Sequence, residues 1–157
     1  MRTYFITEQS EIEQIISKCE ICFVAMATPD GIPYVLPMNF GYIDGKIILH
    51  SAPEGTHLQY IEQNNHVCIA MNYGVELRWQ HQQVACSYRT EAVSVVCNGR
   101  VSFIEDESDK IKYLNVICAH YSDRQFEYSQ PALRNVKIWL VEIDKMTCKA
   151  VGQKVIK

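Results

Sequence analysis

The feature that most constrains this chain is a pair of turn signals near its start. The turn residues "PDG" at 29–31 and "DG" at 44–45 separate three extended runs, "CFVAMAT", "IPYVLPMNFGYI" and "KIILHSA". Asp-Gly between apolar runs is a strong hairpin signal, and Pro-Asp-Gly is typical of a tight turn. The three runs therefore predict an antiparallel meander. The second run holds two prolines, which lack a backbone donor, so we expect part of it at a sheet edge or a bulge.

The remaining elements follow from hydrophobic spacing and turn residues. Further strands are predicted at 66–74, 92–105 and 136–144, helices at 10–19, at 56–64 and after Asp106 or Ser108, and a loop at 75–90. Gly99, inside a predicted strand, indicates a bulge or a close backbone approach. Short strands joined by tight turns, with a few helices between them, indicate a mainly β fold, a β-barrel with α additions.

Two of the helices carry capping signals. Ser10, with Glu13 three residues later, predicts a capping box for the first helix. Asp106 or Ser108 would cap the last helix. Apolar residues at helical spacing give that helix a predicted buried side, made up of Ile111, Leu114, Ile117, Cys118 and Tyr121.

Length and composition restrict the class of protein. A chain of 157 residues predicts one domain over residues 1–157. A net charge of −3 without any run of Lys or Arg argues against nucleic acid or an anionic membrane as the partner. We find neither a transmembrane segment nor a signal-peptide core in the sequence. Seven cysteines, an odd number, are most simply read as reduced thiols, which predicts a cytoplasmic protein.

The stretch "ILHSAPEGTH" at 48–57 is the main functional signal. A strand passes through small and polar residues into the start of a helix, where backbone N–H groups and the helix dipole favour an anion. Thr56 would add a hydroxyl and His57 one or two donors. The alternative is structural, with Thr56 as an N-cap and His57 as a solvated surface residue.

Cys19 and Cys22 form a Cys-x-x-Cys pair. Structural zinc normally needs four ligands, and the sequence offers no second pair at a usual spacing. Cys22 also alternates with Val24 as an inward-facing strand residue. We therefore predict that both cysteines are buried and that the chain holds no metal.

Several segments resemble one family when taken together. "PYVLPMNFGYIDGKIILHSAPEG", then "NNHVCIAM", then "SVVCNGRVSFIED" followed by a helix, are similar to the FMN-binding split-barrel proteins related to pyridoxamine 5'-phosphate oxidase. The nearest branch is that of the nitroimidazole-resistance, or nitroimidazole reductase, proteins. The resemblance implies a six-stranded antiparallel split β-barrel and a homodimer with FMN in clefts at the dimer interface.

The resemblance also implies which residues form the site. The isoalloxazine would run beside the backbone of Met38, Asn39 and Phe40, and the ring edge and ribityl chain beside His50, Ser51 and Ala52. Thr56 and His57 would hold the phosphate. The partner subunit would contribute Ser94 and Val95, and an aromatic residue near the flavin corresponds to Trp139. As the catalytic candidate, His50 would donate a hydrogen bond or a proton to the substrate; a core histidine is the alternative.

Two departures from the family pattern refine the expected function. The branch usually has Gly-Arg/His-Lys where this chain has Gly55-Thr56-His57, so a permanent cation is missing. No Arg follows Arg134, whereas pyridoxamine phosphate oxidases bind substrate with an Arg pair near that end. We therefore expect an FMN-dependent oxidoreductase that reduces a small acceptor, such as a nitroaromatic, with electrons from NAD(P)H. The alternative is a carrier or sensor that binds FMN, another flavin or a tetrapyrrole without turnover.

Overall fold

The computed structural model describes residues 2–152. In chain order its elements are β1 (Thr3–Ile6), α1 (Gln9–Ile16), β2 (Cys22–Ala27), β3 (Pro33–Met38), β4 (Phe40–Ile43), β5 (Lys46–Ser51), α2 (Thr56–Gln63), β6 (His66–Arg78), a 3-10 turn (Ala85–Ser87), β7 (Arg89–Ile104), α3 (Glu107–Tyr121), α4 (Gln130–Arg134) and β8 (Lys137–Val151). None of the helices in this range has the length and apolar character needed to cross a membrane.

The strands form one antiparallel sheet whose two ends meet. Its order is β3-β2-β6-β7-β8-β5-β4, and β1 pairs with the far end of β8. Strands β3 and β4 lie at opposite ends of this order, yet only Asn39 separates them in the chain. Because consecutive Cα atoms are 3.8 Å apart, the two edges come within about 8 Å of each other there. The sheet therefore curls into a barrel with an open seam between β3 and β4.

The described residues contain eight strands, whereas six were predicted. The long second run breaks at Asn39 into β3 and β4, and no turn residue marks that division. Strand β1 was missed because it has only four residues and its apolar residues 4–6 are consecutive in the sequence, although burial alternates along it. The predicted meander and the edge position of the proline-containing run are confirmed, since β3 is an edge strand and holds both prolines.

Residues 75–90 were predicted to be a loop, but both ends of this segment belong to strands. Strand β6 continues to Arg78 and β7 begins at Arg89, with a register shift between Tyr73 and Glu76. The apolar residues Val75 and Leu77 continue the alternation of β6 past this shift and could have indicated the longer strand. The predicted bulge at Gly99 is confirmed by a register shift between Asn98 and Gly99. A Cβ at Gly99 would lie 2.3 Å from the Glu142 carbonyl oxygen, so the strand can bend there only with glycine.

The helix ends correct several predictions. Helix α1 begins after Glu8 without a side-chain cap, so the capping box of Ser10 and Glu13 does not form. Asp106 does cap α3, accepting hydrogen bonds from the N–H groups of Ser108 and Asp109. The five-residue α4, capped by Ser129, was missed because it is too short to show periodicity.

The predicted buried side of α3 was only partly correct. Ile117 is buried, but Ile111 and Tyr121 are exposed. Lys110 is buried instead, because its ammonium group donates hydrogen bonds to the carbonyl oxygens of Leu133 and Val136. The helix lies very close to the sheet: a Cβ at Gly41 would be 2.9 Å from the α3 backbone.

Two hydrophobic clusters lie on the two faces of the β5–β8 part of the sheet. The larger fills the barrel and includes Leu49 and Trp139. The smaller packs beneath α3 and contains Ile48, Ile117 and Ile138. Because side chains alternate along a strand, β5 sends odd-numbered residues into the barrel and even-numbered ones toward α3.

Candidate functional site

The two segments expected to border a cofactor converge at one end of the sheet. Phe40 pairs with Leu49, Leu49 with Trp139, and Trp139 with Phe103, so these four residues form one row across β4, β5, β8 and β7. Met38 and Asn39 precede this row in the chain, and residues 50–52 follow it. The sheet register therefore brings residues 38–40 and 50–52 to the same edge of the barrel.

Trp139 organises the polar atoms at this edge. Its ring is fully buried, and its Nε1 donates a hydrogen bond to Ser51 Oγ at 3.1 Å. Ser51 Oγ in turn donates to the carbonyl oxygen of Ala52 at 2.8 Å. Phe103 packs edge-on against the indole, with ring centroids 5.8 Å apart. A hydrogen bond to a buried aromatic ring thus holds the end of β5, from which the chain continues to α2.

His57 stacks on the same indole. The imidazole and indole centroids lie 5.6 Å apart with an angle of 26° between the ring planes. His57 Nε2 is buried and has no hydrogen-bond partner within the described residues. Burial lowers the pKa of His57 below its usual value, so the free protein holds this side chain in its neutral form near pH 7. An unpartnered buried nitrogen is costly and calls for an explanation.

Gly55 makes room for this imidazole. It is the N-cap residue of α2, with φ at +145°, and a Cβ there would lie 2.5 Å from His57 Cε1. The alternative interpretation, in which Thr56 is the N-cap, is therefore wrong, because Gly55 takes that position and Thr56 is the first residue of the helix. The Leu58 N–H donates to the Gly55 carbonyl oxygen at 3.1 Å. Since glycine offers no side chain for capping, the N–H groups of Thr56 and His57 are left to water or to a ligand. The exposed Glu54 lies beside this helix start.

His50 lies on the opposite face of β5 from Ser51. It pairs with Ile138, whose side chain belongs to the cluster under α3, while Ser51 faces Trp139. His50 is exposed, although the surrounding protein withdraws enough water to lower its pKa. It is therefore not a buried core histidine, and the structure does not bring its imidazole together with that of His57.

Residues that the sequence analysis missed hold the Met38–Phe40 segment. The side chain of Phe40 is fully buried and its N–H donates to the hydroxyl of Tyr121 at 3.1 Å. That hydroxyl donates to the carbonyl oxygen of Glu20 at 2.8 Å. The Tyr121 hydroxyl thus bridges the seam, joining the start of β4 to the residues before β2. The ring centroids of His120 and Phe40 lie 4.4 Å apart, and His120 Nε2 lies 2.7 Å from the Cys19 carbonyl oxygen.

Ser94 and Val95 lie elsewhere on the protomer. Ser94 pairs with Asn72 and Lys149, nine residues along β7 from Phe103, which is about 30 Å of extended chain. Val95 is fully buried in its own barrel, which leaves only its backbone for an outside contact, whereas Ser94 is half-buried and faces outward. Within one protomer these residues do not join the Trp139 edge.

The Cys-x-x-Cys pair is part of the core, as predicted. Both thiols are buried, and burial raises the pKa of Cys19 to about 11 and that of Cys22 to about 12. Cys22 Sγ donates to the Met38 carbonyl oxygen at 3.4 Å. All seven cysteines are free thiols. Among residues 2–152, no cluster of three or more His, Cys, Asp or Glu side chains is placed to hold a metal ion.

Comparison with known proteins identifies the family. The sequence profile of the pyridoxamine 5'-phosphate oxidase family matches residues 8–150. The chain belongs to this family. A similar family member of known structure is a candidate 5-nitroimidazole antibiotic resistance protein from Bacteroides thetaiotaomicron, 44% identical over 95% of this chain and 87% of that chain, with a TM-score of 0.85. This agrees with the branch that the sequence resembles.

More distant structures share the fold of this family member. A flavocytochrome from Azotobacter vinelandii is 17% identical, with a TM-score of 0.80, over 98% of this chain and 72% of that chain. An FAD- and heme-binding protein from Mycobacterium smegmatis is 13% identical, with a TM-score of 0.82, over 98% and 76% of the two chains. No curated protein matches the sequence.

Proposed function

We propose that this chain is a homodimeric, FMN-dependent oxidoreductase that passes electrons from NAD(P)H to a small acceptor such as a nitroimidazole. The observation that carries the proposal is the place of His57. Its buried, unpartnered Nε2 lies at the uncapped start of α2 and against Trp139, at the edge where residues 38–40 and 50–52 meet. An anion at this helix start would give both the backbone donors and the imidazole a partner.

The residues present fit a cofactor phosphate. The N–H groups at the start of α2, the exposed Thr56 hydroxyl and His57 are all donors, and the helix dipole favours negative charge there. Phosphate binding would be weaker than at a site built on lysine, because burial keeps His57 neutral in the free protein. Binding a phosphate would raise the pKa of His57 by adding a favourable charge partner.

The flavin itself would supply the redox chemistry, and the chain would position it. The exposed Asn39 and the backbone of Met38 and Phe40 would border the ring, with Ser51 and Ala52 beside the ribityl chain. The partner's Ser94 would complete the cleft. His50 has an exposed imidazole with a lowered pKa at this edge, so it can accept or donate a proton to a small molecule that approaches from solvent.

The dimer would use the outer face of β3, β2, β6 and β7. Phe23 and Val35 are exposed on this face, and β-strand pairing sets Ala25, Ala70 and Val96 beside them. Monomeric proteins rarely expose contiguous apolar patches of this kind without a partner. Ser94 lies on the same outward side of β7, where a second copy would meet it. Free thiols throughout agree with the reducing cytoplasm that we propose as the location.

A spectroscopic experiment tests the function. The purified protein, supplied with FMN, should show flavin absorption that bleaches with NAD(P)H without oxygen and returns when a nitroimidazole is added. His50→Ala should retain FMN and lose turnover, whereas an exposed control on α3, Lys112→Ala, should retain both. If His50→Ala matches the wild type in binding and turnover, His50 has no catalytic role. If the wild-type flavin never bleaches, the protein is not an NAD(P)H-dependent reductase.

A second function, a flavin carrier or sensor, is favoured by the weak binding expected for the cofactor phosphate. A neutral His57 suits a cofactor that must be released better than one that must be retained through many turnovers. Dilution of the loaded protein distinguishes the two functions. A carrier would release FMN readily and transfer it to an apoflavoprotein without being reduced by NAD(P)H, whereas the oxidoreductase would be reduced before it released its flavin.

A further inference from the structure

A second row of side chains lies next to the row of Trp139 at the same edge of the barrel. Ser51 pairs directly with Lys137 across β5 and β8, and residues directly opposite each other in an antiparallel pair carry their side chains on the same face. Glu105 comes directly after β7 and forms an ion pair with Lys137. This polar row, Ser51, Lys137 and Glu105, therefore borders the Trp139 row where β5 ends and the chain continues to α2.

The ammonium group of Lys137 lies over an aromatic ring. Its Nζ is 4.8 Å from the centroid of Phe103, and Phe103 is the ring that packs edge-on against Trp139. The Lys137 side chain is only 22% exposed, so most of it is packed against the protein. Because His57 stacks on the same indole, Lys137 and His57 belong to one aromatic cluster.

The ion pair between Lys137 and Glu105 is open to exchange. The Glu105 side chain is 67% exposed, and ion pairs in contact with that much water contribute little stability. The hydrogen bond from Lys137 lowers the pKa of Glu105, so this carboxylate carries one negative charge near pH 7. A phosphate monoester carries up to about two negative charges and three strong acceptor oxygens, so it competes well with Glu105 for the ammonium group.

A permanent cation is what the start of α2 lacks. Thr56 has no charge, and burial lowers the pKa of His57, so its imidazole is neutral in the free protein near pH 7. Lysine offers a compact positive charge on a flexible stem of four carbons. Since Lys137 already lies opposite Ser51, rotation of its side chain can move the ammonium group without any change in the backbone.

We propose that Lys137 exchanges Glu105 for the phosphate of the bound flavin and holds it together with His57 and the start of α2. The inference rests on the flavin site of the proposed function and adds a residue of β8 to it. Lys137 thereby supplies the positive charge that residues 56–57 lack. Because Glu105 competes with the phosphate for the same ammonium group, the two residues have opposite effects on binding.

Binding of FMN and of riboflavin, which lacks the phosphate, to the full-length protein tests this role. Lys137→Gln should raise the FMN dissociation constant about fivefold or more and leave that of riboflavin unchanged. Glu105→Gln should lower the FMN constant and also leave that of riboflavin unchanged. Lys112→Gln is the matched control, because Lys112 also lies over a ring, 5.3 Å from the Tyr113 centroid, but on α3; it should change neither constant.

Two results would overturn the inference. One is a Lys137→Gln variant whose FMN and riboflavin constants change equally or not at all, and the other is a Glu105→Gln variant that binds FMN no more tightly than the wild type. If Lys137→Gln does not fold, Glu105→Gln alone decides. A wild type that binds FMN no more tightly than riboflavin contradicts the phosphate site of the proposed function as well, whereas a wild type that prefers FMN confines the failure to Lys137.

Discussion

The imidazole of His57 and the indole of Trp139 stack 5.6 Å apart, and the indole nitrogen is bound by Ser51. Through this stacking and this hydrogen bond, Trp139 of β8 connects the start of α2 to the end of β5. It places an unsatisfied imidazole nitrogen beside free helix N–H groups, and the anion site of the proposed function depends on that placement.

Ser51→Ala should destabilise the protein by about 1–3 kcal/mol, because it leaves the buried Nε1 of Trp139 without an acceptor. The measurement is the free energy of unfolding in urea. Ser17→Ala is the control, since Ser17 Oγ bonds only the Gln14 carbonyl oxygen at an exposed site and its loss should cost less than about 0.5 kcal/mol. Equal losses in the two variants would show that the Trp139 contact contributes nothing.

Gly55→Ala should both destabilise the fold and weaken FMN binding. The new Cβ would meet the imidazole of His57 at 2.5 Å, in a backbone conformation that costs about 1–3 kcal/mol for other residues. Gly31→Ala is the control because Gly31 also has a positive φ, +79°, but has no atom within 4 Å of an added Cβ. Only Gly55→Ala should raise the FMN dissociation constant; an unchanged constant would place the phosphate elsewhere.

Affinity for FMN should fall as the pH rises through the titration of His57. Burial lowers the pKa of His57 in the free protein, and a bound phosphate raises it, so binding takes up a proton between these two values. Above the pKa of His57 in the complex, the imidazolium is lost. The charge then no longer makes the wild type bind FMN more tightly than a variant without a titrating group at this position.

Dissociation constants of wild type and His57→Gln, measured from about pH 5.5 to 8, provide the check, because the ionisation of the FMN phosphate near pH 6 affects both proteins alike. The ratio of the His57→Gln constant to the wild-type constant should be largest at low pH and should approach a plateau at high pH. A ratio that does not change with pH would mean that His57 does not contact the phosphate.

Tyr121→Phe should loosen the seam between β3 and β4. The variant keeps the ring but leaves the Phe40 N–H and the Glu20 carbonyl oxygen without their shared partner, at a cost of about 1–3 kcal/mol. Hydrogen exchange of peptides covering residues 38–42 should accelerate. Tyr128→Phe is the matched control, since the Tyr128 hydroxyl donates to Asn115, away from the seam. Equal exchange in both variants would exclude this role for Tyr121.

Much of the fold could be predicted because the decisive signals were local. The turns at Gly31 and Gly45 need a positive φ, which glycine adopts readily, and the Asp-Gly and Pro-Asp-Gly signals reflect that need. The bulge at Gly99 was visible for a related reason, since only glycine fits against Glu142. Strand β1 was missed because it is short and its apolar residues are consecutive. The end of β6 was missed because the turn signal at Gly74 was taken as the end of the strand, although Val75 and Leu77 keep the alternation.

The candidate site was less predictable, since its geometry depends on register. The sequence suggested that His50, Ser51 and Ala52 act together, yet strand alternation sends His50 and Ser51 to opposite faces. The bridging role of Tyr121 arises from contacts with residues 81 and 101 positions away in sequence. No local pattern could reveal it.

The most direct test of the account is a titration of the purified full-length protein with FMN, followed by the change in the flavin absorption and fluorescence. The proposed function predicts saturable binding of one FMN per chain by a dimeric protein, and substantial weakening in Gly55→Ala. A wild-type protein that takes up no FMN at any pH, or that binds FMN as a single subunit, would contradict it.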